Sequence, residues 1–400
     1  MQALSGGLAS RQLGEKLMKL NESKRPFLTA GILLLILGIF LSLFFYAREP
    51  VEVTEGVEDS AYEKGIVTQI LTDSTSVDEK AQNAYRGEQK ILVEMTTGAS
   101  KGKTFMADNA VGIHTDYTPV KVGQRVVLHI STYSDGSTML TVYGPDRVAV
   151  IALILGLFIL VTVLVGGKTG AQSVLGLVLT VLVLLWVFLP LLAKGWASIP
   201  TSFFLCSLIA IACFLILGGC SKKILCACGG TIGGMVLAMA FGILAQRLLQ
   251  VDGYQAEYAD ALQNERMTGT PFDIRGLLVA GVIISSLGAV MDVAMSISSA
   301  MGELKSVNGE LTGKQLWKSG MNIGRDMVGT MTNTLILAIL GSSVILMLYI
   351  FSMKLSDHQF LSSSFLAMEV LSSVASAMGV ILAVPLTAAL AAMVYGKNKM

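Results

Sequence analysis

Runs of about twenty apolar residues recur along this chain, each long enough to cross the hydrocarbon core of a bilayer as a helix. Eight are read, at 27–46, 148–166, 172–193, 199–218, 224–249, 276–300, 327–351 and 364–395. The last has the length to tilt, to kink at Pro385 or to begin as a partly re-entrant segment. Between the first two runs the pattern changes to short β-type stretches, 65–71, 90–95, 124–130 and 139–143. Turn signals separate them: Gly98 to Gly102, Asp108-Asn109, Val122-Gly123 and Ser134-Asp135-Gly136. Several short strands in so small a segment predict an antiparallel barrel, OB-like or similar. The expected fold is predominantly α: a polytopic helical membrane protein with a small extracytoplasmic β domain. Its parts are a cytoplasmic tail at 1–26, an anchor helix at 27–46, the β domain at 47–147 and a seven-helix membrane domain at 148–396.

Composition supports a bilayer as the solvent. Hydrophobic residues make up 53% and charged residues 14%, with a mean hydropathy of +0.67, whereas a soluble domain carries about 25% charge. A net charge of +1 argues against a nucleic-acid partner. Basic residues set the orientation, because Lys and Arg collect on the cytoplasmic side. Arg11, Lys16, Lys19, Lys24 and Arg25 precede the first span. Alternation places Lys168, Lys222-Lys223, the group Lys305, Lys314, Lys318 and Arg325, and finally Lys397 and Lys399 on the same side. Both termini are therefore expected inside a bacterial cytoplasmic membrane. The first span exceeds a signal-peptide core and no small-x-small cleavage site follows it, so it reads as a retained anchor. Cysteines introduced at Ser134 and Thr268 should react with an impermeant maleimide added to intact cells, and one at Ser306 should not. Outside labelling at position 306 would overturn this topology.

One charge stands out against that background. Asp292 lies inside the apolar helix read at 277–300, which holds no other charge. It is roughly 12 Å from the nearer end at 1.5 Å per residue. A carboxylate at such depth costs on the order of 3 kcal/mol, so it normally faces a bundle interior or a wet cavity and serves a function. Its neighbours at helical spacing are Ser285, Gly288, Ala289, Ser296 and Ser299, all small or hydroxylated. The stripe is therefore expected to be a polar seam against other helices or water, with Leu278, Val279, Val282, Val290 and Val293 on the opposite face fit for lipid or close packing. In the next span Asp326, Gly329, Thr330 and Asn333 share one face, and Asn333 is expected at the depth of Asp292, within hydrogen-bonding reach. Glu369 in the last span lies nearer the outside, with Ser372, Ser373 and Ser376 below it. Together these would form a polar track, with Arg325 and Asp326 at its inner mouth. Against this stands the reading that the Asn, Ser and Thr side chains are interhelical glue, worth about 0.6 kcal/mol each.

Other features point to packing. Cys206, Cys213, Cys220, Cys226 and Cys228 all lie in or beside spans four and five, without a histidine nearby, and read as small apolar residues. Gly229, Gly230, Gly233 and Gly234 form overlapping G-x-x-x-G patterns that favour close helix contact. In the β domain His114 and His129 have no ligand-spaced partner, so no metal site is expected. Its sequence shows no stacked aromatics on a basic face, which favours a spacer or assembly role. No cofactor motif is present.

The segments Leu287-Gly288-Ala289-Val290-Met291-Asp292-Val293-Ala294-Met295-Ser296-Ile297, 324–338 from Gly324-Arg325-Asp326 to Leu337-Ala338, and Val384-Pro385-Leu386-Thr387-Ala388 resemble the YibE/F family of bacterial multi-pass membrane proteins. The resemblance extends over roughly 60–396. One departure is Gly341-Ser342-Ser343-Val344, where a Leu-Pro pair is expected. The family implies an integral membrane protein with a small external β domain and assigns no substrate. Two functions remain open. One is a transporter or permease for a small solute or cation, coupled through the intramembrane acid. The other is a membrane assembly or regulatory protein whose external domain binds a partner. A homo-oligomer or a membrane partner subunit is compatible with both. No H-E-x-x-H and no G-x-x-x-x-G-K-[ST] occurs, and an aspartyl protease needs a second carboxylate at the depth of Asp292, so an enzyme is not expected.

Overall fold

The computed structural model describes residues 28–46, 60–78, 84–98, 100–112, 118–132, 138–254, 259, 262–263 and 273–396. The N-terminal basic residues, His114, Ser134 to Gly136, Thr268, Lys397 and Lys399 lie outside the described residues. The chain divides into two compact units, 54–164 and the remainder.

The smaller unit is a closed barrel. Its strands are β1 (Ser60–Asp73), β2 (Ser76–Asp78), β3 (Ala84–Met95), β4 (Thr104–Val111), β5 (Arg125–Thr132) and β6 (Thr138–Pro145). The sheet order is β1-β5-β6-β4-β3-β2, and a β1–β3 pairing closes it into five strands. All pairs are antiparallel except β4–β6, which is parallel at Asp108 and Thr141. Alternation sends Val67, Ile91, Val93, Val126, Leu128 and Val142 inward to a common core. The turns expected at Gly98–Gly102 and Val122-Gly123 are present, with positive φ at Gly98, Gly102 and Gly123.

Two expectations are corrected here. Asp108-Asn109 is not a turn but lies inside β4. Asn109 is buried and its amide nitrogen donates to Gln89 Oε1 at 2.9 Å and to the Thr118 carbonyl at 3.0 Å, so a residue read as a breaker has its donors bonded within the barrel, while its Oδ1 is buried without a partner among the described residues. Stacked aromatics are also present. Tyr62 stacks on His129 with ring centres 4.7 Å apart, and Tyr143 stands edge-on to Tyr62 at 5.4 Å. The three come from β1, β5 and β6, and cross-strand register, invisible in sequence, brings them together.

The first and last strands are tied at the domain's end. Lys64 Nζ donates to both oxygens of Asp146, at 3.0 and 3.2 Å, and the Val148 amide donates to Asp146 Oδ1 at 3.2 Å. The Lys64 hydrogen bond, then that amide, hold the Asp146 carboxyl below its ordinary range. A depressed carboxylate contributes stability above its unfolded value and loses it as pH falls through the folded one. Hydrogen exchange in β1 and β6, corrected for intrinsic rate, should therefore accelerate below about pH 4. Asp146→Asn should flatten that dependence; an unchanged profile contradicts the tie.

The larger unit is helical, built from α1 (Leu28–Tyr46), α2 (Val148–Ala193), α3 (Ser198–Gly218), α4 (Lys222–Leu249), α5 (Ile274–Val307), α6 (Gly313–Ser342), α7 (Val344–Ser352), α8 (Asp357–Leu361) and α9 (Ser364–Gly396). Six of these are long and apolar enough to cross a membrane, or seven with α6 and α7 taken as one bent span. Spans two and three fall in one 46-residue element, divided into two helices by non-helical backbone at Gly167, where φ is 55°, at the break read between them. The α6–α7 bend of 57° falls at Ser343, inside the Gly341–Val344 segment that departs from the family pattern. Pro385 lies within a continuous α9.

Helix ends follow their capping residues. Ser221 caps α4, Asp273 caps α5, and Thr312 with Gln315 forms a capping box on α6. Asp273 also accepts from the Ser198 amide, at 3.3 Å, joining the starts of α3 and α5. The core forms where α9 packs on α4, α5 and α6, and α5 packs on α3 and α4.

Candidate functional site

Gly234 and Gly379 mark the closest approach of α4 and α9. A Cβ on Gly234 would lie 2.8 Å from Val290 Cγ1, 2.9 Å from Ala383 Cβ and 3.1 Å from the Gly379 carbonyl. Gly229 and Gly233 likewise receive Leu390 and Leu386. The glycine pattern is thus a packing device, as its spacing indicates. The five cysteines are free, and Cys206, Cys213 and Cys226 are buried. No metal-ligating cluster occurs among the described residues.

Packing on this core fixes the rotation of α5. Val279, Val282, Val290, Val293 and Ile297 are fully buried against neighbouring helices. The opposite stripe, Gly281, Ser285, Gly288, Asp292 and Ser296, is exposed. A Cβ at Gly281 or Gly288 would meet nothing within 4 Å. Of the two surroundings expected for this seam, other helices or water, helices of the same chain are not what Asp292 meets: the apolar face takes the interior and the carboxylate points away from it. The exception is Ser285, whose hydroxyl lies 2.7 Å from that of Ser376 on α9.

The α6 helix repeats this arrangement. Leu316, Gly320 and Gly324 are buried, while Asn322, Arg325, Asp326, Gly329, Thr330 and Asn333 are exposed. Gly320 abuts Met301 and Gly324 abuts Ile297, which sets an antiparallel register between α5 and α6. Continued along both helices, that register puts Asp292 level with Gly329, and Asn333 one turn further, about 6 Å. Asp326 falls level with Met295 and Arg325 with Ser296 by the same continuation, about one turn from Asp292 on the side away from Asn333, toward the start of α6. The expected hydrogen bond from Asp292 to Asn333 or Thr330 is absent. Thr330 donates to the Met327 carbonyl at 3.1 Å, Thr334 to that of Thr330 at 2.9 Å, and Asp292 has no hydrogen-bond or ion-pair partner among the described residues.

Glu369 stands apart. It is half-buried beside Leu346, Met347, Ile350, Phe360, Phe365 and Leu366, an apolar surround. Of the serines below it, Ser373 and Ser376 are buried. Ser376 bonds to Ser285, whereas the Ser373 hydroxyl and that of Thr231 on α4 are buried without a partner among the described residues. The polar track thus separates into an open belt on α5 and α6, the Ser285–Ser376 bridge and an isolated Glu369. A further cavity of about 370 Å³, lined by Leu43, Leu191, Trp196, Pro200 and Phe204 among others, is mainly apolar, and the hydroxyl of its Thr201 donates to the Ala197 carbonyl.

Comparison with known proteins agrees with the resemblance carried by the Asp292 and Gly324–Ala338 segments. No curated protein and no solved structure matches the chain. A family model described as YibE/F-like protein matches residues 154–397, which include all of α3 to α9. Together with the apolar helices, this match points to a membrane protein. The chain belongs to the YibE/F-like family.

Proposed function

We propose that this chain is a permease of the cytoplasmic membrane, in which Asp292 exchanges a proton or a cation during passage of a small solute or ion. The observation that carries the reading is the exposed stripe on α5, where an ionisable group is flanked by Gly288 and Ser296 in a helix otherwise suited to hydrocarbon. Lipid is the wrong neighbour for such a group, by about 3 kcal/mol. Water, a second copy of the chain or a partner subunit therefore covers the stripe, and α6 supplies Arg325, Asp326, Thr330 and Asn333 to the same belt. Ser296 and Thr330 are suited to solvate an ion beside the carboxylate.

A second reading is favoured by the openness of that same face. It makes the chain an assembly or regulatory protein, with the α5 and α6 stripes as docking surfaces for another membrane subunit. Purified protein in liposomes loaded with a pH-sensitive dye separates the two. Proton entry driven by an imposed gradient, above that of empty vesicles, is expected of the permease. Its absence under every cation gradient tried would favour the assembly role.

A further inference from the structure

We infer that the β domain binds an acidic saccharide, a sugar ring bearing one carboxylate, on the outer face formed by β1, β5 and β6. Residues of one strand face alternate, so Tyr62, Lys64 and Ile66 of β1 share a surface with Arg125, Val127 and His129 of β5. Tyr62 lies directly opposite His129, and Ile66 opposite Arg125. Along this face the aromatic group Tyr62–His129–Tyr143 adjoins a pocket of about 280 Å³ lined by Lys64, Ile66, Thr96, Thr97, Arg125 and Asp146.

Each part limits the ligand. Tyr62 and Tyr143 are 57% and 51% exposed; His129 takes one face of Tyr62, and the exposed parts of the two tyrosine rings are left to meet an incoming ring. The pocket is at the small end of ligand sites, which suits a single ring and not a large aromatic system. Charge narrows the choice further. Asp146 pairs with Lys64 at 3.0 Å and also feels the charge of Arg125, which is exposed and in no ion pair among the described residues. The lining thus sets two cations against one carboxylate, and the one positive charge in excess fits one further carboxylate, which the guanidinium can grip with two parallel hydrogen bonds. A nucleic acid would instead demand several cations along its backbone. Tyr62 and Lys64 are two residues apart on β1, about 7 Å, the distance over which a stacked ring can present its carboxylate to the pocket.

A peptide is disfavoured by topology. Here β1 is paired with β5 and β3, β5 with β1 and β6, and β6 with β5 and β4. Among the described residues β2, outside this face, is the end strand of the sheet, and β6 meets β4 at Thr141 alone, so the face itself offers little edge for an added strand, the usual way a sheet holds an extended peptide. Recognition must come from the side chains on the outer face.

Calorimetry on the full chain in nanodiscs tests the assignment, with trigalacturonate as probe, maltotriose as its neutral counterpart and tri-glutamate as an acidic peptide. Trigalacturonate is expected to bind, and the other two to bind at least about tenfold more weakly. Tyr62→Ala and Arg125→Gln, each retaining the wild-type thermal midpoint, should weaken trigalacturonate by about tenfold, while Tyr62→Phe retains binding. Tyr143→Ala replaces Tyr62→Ala if that variant folds poorly. No trigalacturonate binding at concentrations on the order of millimolar, equal binding of tri-glutamate or maltotriose, or unchanged affinity in the folded variants would each overturn it.

Discussion

Asp292→Asn will stop proton or cation movement by the reconstituted protein while leaving its expression, insertion and thermal midpoint at wild-type values. The amide matches the carboxylate in size and hydrogen-bonding capacity but takes up and releases no proton, so the substitution isolates the charge change from the shape. Nothing in the chain's own fold resists it. Asp292 lies on the exposed stripe of α5 and has no partner among the described residues, so no internal hydrogen bond is lost. Asp292→Leu should also abolish flux, and for the same reason should not weaken packing within one protomer. If a second copy or subunit covers the stripe, the Leu variant should alter assembly, read as a shifted peak in light-scattering chromatography. Full flux through Asp292→Asn at normal expression would reduce Asp292 to a structural polar group and leave the assembly reading.

The largest effect on stability is expected at Gly234. Three helices meet there, and the atoms a Cβ would strike include the Ala383 Cβ at 2.9 Å and the Gly379 backbone oxygen at 3.1 Å. Neither can rotate away, so α4 and α9 must separate. Overpacking of this kind costs about 1–3 kcal/mol and more for a large side chain. Gly234→Leu should therefore fall sharply in expression and thermal midpoint, with Gly234→Ala between it and wild type. Gly281, on the open stripe, provides the control, because a Cβ there meets nothing within 4 Å. Gly281→Ala should be stable, slightly above wild type through the better helix propensity of Ala. A Gly234→Leu protein that melts with wild type would contradict the packing described for α4 and α9.

The parts of the fold legible in sequence are those set by local pattern. Period-two alternation locates β1, β3, β5 and β6, and glycines at 98, 102 and 123 mark real turns. Strand β4 is hidden because Asp108-Asn109 resembles a turn; the partners that make Asn109 tolerable, Gln89 and Thr118, are long-range. The Tyr62–His129–Tyr143 group is hidden for the same reason, since it exists only through strand register. Periodicity separates the Asp292 stripe from the valine face of α5. Which face turns inward is not a local property, because lipid and protein interior are alike apolar and either suits Val290 and Val293. Tight contacts such as Gly234 against Val290 decide it. The contacts of Gly320 with Met301 and of Gly324 with Ile297 fix the α5–α6 register that moves Asn333 one turn beyond Asp292.

The central claim is that the Asp292 face of α5 meets water or protein and not lipid. Nitroxide spin labels at positions 288 and 296, in a background with the native cysteines replaced, report this directly in liposomes. A label at Leu157, a 60% exposed residue in the middle of the first apolar span of α2, gives the lipid-facing reference. Collision rates with oxygen, which concentrates in lipid, and with a water-soluble nickel chelate distinguish the environments. Labels at 288 and 296 should show oxygen collisions well below those at 157, together with high nickel-chelate collisions if water lines the face, or low ones if protein covers it. Oxygen and nickel-chelate values equal to those at 157 would place Asp292 against lipid and contradict this reading.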